Sequence, residues 1–121
     1  MENKKILLVD NNSVSLKMLK NIFNSNEYHV LQASGGFEAV YIAKNDHPDL
    51  IILDIVMPDI DGGEIASILK NDPLTQNIPI IILSSTIKKE EEQYSSTQEG
   101  VYLMAKPFDR DALLDIVKER I

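Results

Sequence analysis

The sequence predicts an α/β fold built on a parallel β-sheet, and two alternating patterns support this class. Short, continuous apolar runs recur along the chain, as expected for strands that are buried on both faces of a sheet. Between them lie stretches whose apolar residues are spaced as on one face of a helix. The alternation repeats five times, which implies parallel strands, right-handed crossovers and helices on both faces of the sheet.

Length and composition limit the possible functions. The chain has 121 residues, so we expect one domain over residues 1–121. A net charge of −7 argues against binding to nucleic acids or anionic membranes, and suits a metal cation or a basic partner. Cysteine is absent, which fits a cytoplasmic protein. The first apolar run is too short for a signal peptide or a membrane span.

The first two βα units begin with the runs 6–9 and 28–33. The first run stops at Asp10, and the residues from Asp10 to Ser13 are all types that cap helices. The run 28–33 alternates more than the others, which predicts a strand near the edge of the sheet. His29 within it, and His47 before a proline, are expected to be structural or solvated.

The central unit covers residues 49–63, DLIILDIVMPDIDGG. Its apolar run ends at Asp54, and a carboxylate inside a buried strand is very costly, so Asp54 should lie at the end of the strand. Pro58 stops the strand, and Asp61 with the two glycines after it can begin a helix. Asp59 and Asp61 are expected to form turns, and an indirect role at a metal site is the alternative.

The last two units place further polar groups after apolar runs. Residues 78–83 lead to Ser84, and residues 101–105 lead to Lys106. Between them, Lys88 to Glu99 is predicted to be helical, although Tyr94 is its one large apolar residue. Asp109 is expected to cap a final helix.

Parallel strands bring their carboxyl ends to one edge of a sheet, which is where ligands bind in such folds. We therefore expect Asp10, Asn11, Asp54, Ser84 and Lys106 to converge. Carboxylate and amide oxygens suit Mg²⁺, and the lysine and hydroxyl can contact a phosphoryl group. Carboxylates form acyl-phosphate intermediates, so Asp54 is a candidate nucleophile for phosphoryl transfer.

Four motifs in these positions, VDNN, LDIVMPDIDG, LSS and AKPF, resemble the receiver domains of two-component response regulators, the CheY-like domains. The resemblance covers the whole chain. It implies a flavodoxin-like (βα)5 three-layer sandwich with five parallel strands in the order 2-1-3-4-5. It also implies that Asp54 accepts a phosphoryl group from the phosphohistidine of a histidine kinase, in a Mg²⁺-dependent reaction.

The resemblance assigns roles to the other residues at this edge. Asp10, Asn11, Asp54 and the backbone carbonyl of Val56 would lie around Mg²⁺. Ser84 would contact the phosphoryl group, and Lys106 would form an ion pair with it. The Lys106–Pro107 peptide bond would be cis.

The implied partners are a sensor histidine kinase or a phosphotransfer protein. An output partner or a second copy would bind through the predicted helix from Thr86 to Glu99, the last strand and the last helix, and phosphorylation would mainly reorder Ser84 to Leu103. The domain would be a signalling module rather than an enzyme, although it would take part in its own phosphorylation and dephosphorylation.

Two positions depart from the family pattern and keep alternatives open. Asn11 stands where the family usually has a second acid, and Leu103 where it usually has an aromatic residue. A flavodoxin-like cofactor binder is disfavoured by the acid after the first strand, and an aspartate phosphatase by Asn12. A pseudo-receiver that binds proteins without phosphorylation is the remaining alternative.

Overall fold

The computed structural model describes residues 3–54, 59–85 and 100–121, together with the backbone of residues 93–94. The strands and helices in these residues are, in chain order, β1 (Lys5–Val9), α1 (Ser13–Asn24), β2 (His29–Ala33), α2 (Gly36–Asp46), β3 (Leu50–Asp54), α3 (Gly62–Lys70), β4 (Ile80–Ser84), β5 (Gln93–Tyr94), β6 (Val101–Ala105) and α4 (Arg110–Arg120).

The strands form one sheet in the order β2-β1-β3-β4-β6-β5. The five longer strands are parallel to their neighbours, and the two-residue β5 is antiparallel to β6. Numbered by themselves along the chain, the parallel strands run 2-1-3-4-5, so the predicted flavodoxin-like fold is confirmed. The strand β2 lies at one edge of the sheet, as its alternating sequence predicted.

Two apolar clusters lie on opposite faces of the sheet and make three layers. On one face, Leu7 and Ile51 pack with Ala39 of α2 and Ile65 of α3. On the other, the neighbouring strand residues pack with helices α1 and α4, where Phe23 is fully buried. Strand side chains alternate between these faces because successive residues of a strand point in opposite directions.

The prediction of a helix from Lys88 to Glu99 is wrong at Gln93–Tyr94, which form strand β5 beside β6. The segment lacks a repeating apolar stripe, so a helix there would have little to bury, whereas an edge strand offers backbone hydrogen bonds. The rest of this predicted helix lies outside the described residues. On β6, Leu103 and Tyr102 pack on opposite faces, so Tyr102 does not replace the aromatic residue missing at position 103.

The helix starts follow the capping residues of the sequence, with one exception. Asn12, Asp61 and Asp109 each accept a hydrogen bond from the first turn of the helix that follows them. Helix α2 begins at Gly36, and its N-cap residue, Gly35, has no side chain to cap it. In the part of the chain that the structure describes, no helix is long and apolar enough to span a membrane.

Candidate functional site

Asp54 and Lys106 form an ion pair at the carboxyl edge of the sheet. Oδ1 of Asp54 lies 3.1 Å from Nζ of Lys106, and the two side chains are 15% and 28% exposed, respectively. Asp54 is the last residue of β3, and Lys106 directly follows β6, so two parallel strands bring the charges together. The pair is therefore partly shielded but still open to a ligand from solvent.

Asp10 lies beside this pair and is almost fully buried, with 2% of its surface exposed. Its Oδ1 accepts the N–H of Asn12 at 2.9 Å. Burial raises the pKa of Asp10, and the neighbouring Asp54 carboxyl raises it further, while the Asn12 N–H and the charge of Lys106 oppose the rise. Two carboxylates held this close repel each other, which a bound cation would relieve.

Ser84 and Lys106 are joined through the backbone. The N–H of Lys106 donates to the carbonyl of Ser84 at 2.8 Å, and the Ser84 side chain is buried at the end of β4. The Lys106–Pro107 bond is cis, as the resemblance implied. The predicted convergence therefore holds for Asp10, Asp54, Ser84 and Lys106.

The structure gives less information on the other two predicted metal ligands, Asn11 and the carbonyl of Val56. Asn11 is exposed and directly follows Asp10 at the same edge. Val56 lies outside the described residues, so its carbonyl stays a prediction. Among the described residues, no three His, Asp or Glu side chains cluster as a metal site. Two carboxylates still suit Mg²⁺, because this ion keeps several waters and takes few protein ligands.

Neither histidine takes part in this edge. His29 begins β2 at the opposite end of the sheet and is exposed. His47 ends α2 in the left-handed conformation with φ 48°. Both agree with the structural or solvated roles predicted for them.

Asp59 has a role that the sequence reasoning missed. It accepts the N–H groups of Gly36 and Phe37, and so caps α2 from 23 and 22 residues further along the chain. The sequence held one signal: Gly35 and Gly36, at the start of α2, have no side chain that could cap the helix, which leaves its first N–H groups to water or to a residue from another segment.

A groove of about 780 Å³ runs from the charged edge along α1. Asp10 and Lys106 lie at its polar end, and Met18, Ile22 and Phe108 line its apolar part. Met18 is 48% exposed, so the groove presents apolar surface to solvent next to the ion pair.

The fold and the charged edge together define a class: flavodoxin-like α/β domains that carry acids where cofactor-binding members have a phosphate loop. The sequence model of the response regulator receiver domain family matches residues 6–118. The chain belongs to this family of two-component signalling domains.

Individual relatives agree over nearly the whole chain. It is 35% identical over 119 residues to sporulation initiation phosphotransferase F of Bacillus subtilis, a match that covers 98% of this chain and 94% of the relative. Among solved structures it is similar to the chemotaxis response regulator CheY4 of Vibrio cholerae, with a TM-score of 0.85, 25% identity, and coverage of 98% of this chain and 99% of that one.

A third relative is informative about metals. The receiver domain of the sensor histidine kinase PA1611 from Pseudomonas aeruginosa PAO1 was solved with a magnesium ion in its active site cleft. It matches with a TM-score of 0.83 and 27% identity, and the match covers 98% of this chain and 97% of that one.

Proposed function

We propose that this receiver domain accepts a phosphoryl group on Asp54 from the phosphohistidine of a histidine kinase or phosphotransfer protein, with Mg²⁺ bound at the carboxyl edge. The observation that carries the proposal is the 3.1 Å pair between Asp54 and Lys106, beside the buried carboxyl of Asp10. The nucleophile Asp54, the positively charged Lys106 and the second acid Asp10 thus lie together where the strands end.

The side chains divide the work of the transfer. A carboxylate oxygen of Asp54 attacks the phosphorus atom, the P–N bond of phosphohistidine breaks, and the imidazole leaves with its electron pair. Lys106 moves its charge from the carboxylate to the phosphoryl oxygens, and the Ser84 hydroxyl donates to them. Asp10, Asn11, Asp54 and the Val56 carbonyl would hold Mg²⁺, which neutralises charge on the phosphoryl group when bound.

The groove along α1 suits the partner that delivers the phosphoryl group. It opens beside Lys106, and its wall carries exposed Met18. Helix α1 contains Lys17 and Lys20 and no acidic residue, in a chain whose net charge is −7. A donor helix with an apolar stripe and acidic flanks would complement this surface and bring its phosphohistidine to Asp54.

The output surface is proposed on β6 and α4, the strand and the helix that flank Lys106 in the chain. Ser84 ends strand β4, Lys106 directly follows strand β6, and β6 also pairs with Gln93–Tyr94. A phosphoryl group on Asp54 would contact the side chains of Ser84 and Lys106, and these contacts would alter the ends of the two strands. An output partner or a second copy would read this change through the segment from Thr86 to Glu99, the last strand and the last helix.

The pseudo-receiver remains the second candidate, and Asn11 is the observation that favours it. An amide supplies one oxygen ligand without charge, so the site attracts Mg²⁺ less strongly than two adjacent acids and Asp54 would. Such a domain would bind its partner without taking a phosphoryl group.

Mass spectrometry after treatment with a small phosphodonor and Mg²⁺ separates the two candidates. The wild-type protein should gain one labile phosphoryl group, located on the peptide that contains Asp54. Asp54→Asn should fold normally and gain none. Labelling of Asp54→Asn at the wild-type level would show that the acceptor lies elsewhere, and no labelling of the wild type, together with no Mg²⁺ binding, would establish the pseudo-receiver.

A further inference from the structure

The carboxylate of Asp59 ties the chain that follows Asp54 to the start of helix α2. Its Oδ1 accepts the N–H of Gly36 at 2.9 Å and the N–H of Ile60 at 3.0 Å, and its Oδ2 accepts the N–H of Phe37 at 3.1 Å. These bonds lower the pKa of Asp59. Both oxygens are thus used, and two of the free N–H groups of α2 are satisfied by a residue from another element.

The contact is close because two glycines make room for it. A Cβ atom on Gly36 would lie 2.2 Å from Cγ2 of Ile60 and 2.5 Å from Cδ1 of Ile65. A Cβ atom on Gly35 would lie 3.3 Å from Oδ2 of Asp59. A larger residue at Gly36 would displace the side chain of Ile60, the residue after Asp59, or that of Ile65 in α3, so the missing side chain at Gly36 allows the close contact.

We infer that Asp59 is a positioning residue for the chemistry of Asp54, an inference that rests on the proposed function. Strand β3 fixes the chain at Asp54, and the tie to α2 fixes it again five residues later. Because the tie holds Asp59 in place before any ligand arrives, fixing this residue costs no further conformational entropy when a ligand binds beside Asp54. Asp59 would therefore favour metal binding and phosphorylation without touching the metal or the phosphoryl group.

A matched control lies at the other end of α2, where Asp72 contacts Lys44. Asp72 accepts the N–H of Leu74 at 2.9 Å, and its Oδ2 pairs with Nζ of Lys44 of α2 at 3.0 Å. Like Asp59, it is a carboxylate that ties α2 to the chain around α3, and the pKa of Asp72, like that of Asp59, is lowered. Asp72 lies after the end of α3, away from the carboxyl edge, so its loss should affect stability alone.

The test compares Asp59→Ala and Asp72→Ala with the wild-type chain by Mg²⁺ titration calorimetry, urea unfolding and hydrogen exchange. Both variants should unfold at lower urea concentration. Asp59→Ala should bind Mg²⁺ about tenfold more weakly, as is common when a residue that supports a metal site is removed. It should also exchange the amides of Gly36 and Phe37 faster, whereas Asp72→Ala should bind Mg²⁺ like the wild type.

The conservative variant Asp59→Asn keeps one oxygen acceptor and should recover part of the Mg²⁺ affinity; it also replaces Asp59→Ala if that variant does not fold. Wild-type Mg²⁺ affinity in Asp59→Ala, or equal losses in Asp59→Ala and Asp72→Ala, would overturn the inference and leave the proposed function standing. Absence of Mg²⁺ binding by the wild-type protein would overturn the proposed function and this inference with it.

Discussion

Charged side chains lie at both ends of the parallel strands, at the amino edge where the strands begin and at the carboxyl edge where they end. The contacts that these charges make differ between the two edges. At the amino edge, charges meet backbone groups: Oδ2 of Asp49 accepts the N–H of Lys5 at 2.8 Å, and Nζ of Lys70 donates to the carbonyl oxygens of Gln76 at 3.1 Å and Ile78 at 2.6 Å. These contacts close the turns that connect helices to strands. The charges at this edge therefore stabilise the fold.

At the carboxyl edge, like charges are held together. The buried carboxyl of Asp10 has a raised pKa because of its burial and because of Asp54 beside it, and Lys106 balances only part of this charge. Such an arrangement costs stability in the absence of a ligand. One edge of the sheet thus maintains the structure, while the other keeps an unfavourable charge cluster to which a cation and a phosphoryl group can bind.

The largest expected effect comes from removing the lysine of the carboxyl edge. Lys106→Met should slow labelling by a small phosphodonor about 100-fold, because a positioned donor to the developing charge is lost. Stopped-time labelling followed by mass spectrometry measures the rate. Labelling at the wild-type rate would show that Lys106 pairs with Asp54 for structural reasons only.

Removing the lysine of the amino edge should lower the stability of the fold and leave the labelling rate unchanged. Lys70→Met leaves the carbonyl groups of Gln76 and Ile78 without their donor, which should lower the free energy of unfolding by about 2 kcal/mol. Urea unfolding measures the loss, and the labelling rate of the folded protein should not change. A slower labelling rate in Lys70→Met would contradict the division between the two edges.

Asn11 sharpens the comparison within the carboxyl edge. Asn11→Asp restores a third acid, so Mg²⁺ should bind about tenfold more tightly, a change of about 1.4 kcal/mol. Titration calorimetry with Mg²⁺ measures the affinity. An unchanged affinity would mean that residue 11 does not face the metal.

The smallest effect concerns pH at the side of the domain away from the site. The Leu74 N–H and Lys44 lower the pKa of Asp72, so this carboxylate stabilises the fold above its unfolded pKa, and the contribution is lost as the pH falls through the lowered folded value. Asp72→Asn should therefore unfold at a slightly lower urea concentration than wild type at pH 7. The gap should close as the pH falls below about 4, and a gap that widened there would reverse the assigned direction.

Much of this architecture follows from the sequence because buried parallel strands leave a plain signal. The apolar runs that end at Asp10, Asp54, Ser84 and Lys106 predicted both the sheet and the meeting of these four residues. The direction of parallel strands alone is enough to bring their carboxyl ends to one edge.

Other features depend on contacts that the local sequence does not encode. The short strand at Gln93–Tyr94 forms because the edge of β6 offers hydrogen bonds, and the polar sequence around it does not reveal this pairing. The cap that Asp59 provides for α2 joins residues more than twenty positions apart. The cis Lys106–Pro107 bond was expected from the family resemblance, since proline alone rarely adopts it.

The most direct test of the difference between the edges is the thermal stability of Asp10→Asn and the wild type, with and without Mg²⁺. Without Mg²⁺, Asp10→Asn should melt about 4 °C higher, because it removes a buried charge while its amide oxygen can still accept the Asn12 N–H. At a Mg²⁺ concentration of about 100 times Kd, the wild type should gain about 2.7 kcal/mol and become the more stable protein. A wild-type protein that is more stable without Mg²⁺, or equal stabilisation of both proteins by Mg²⁺, would contradict the account.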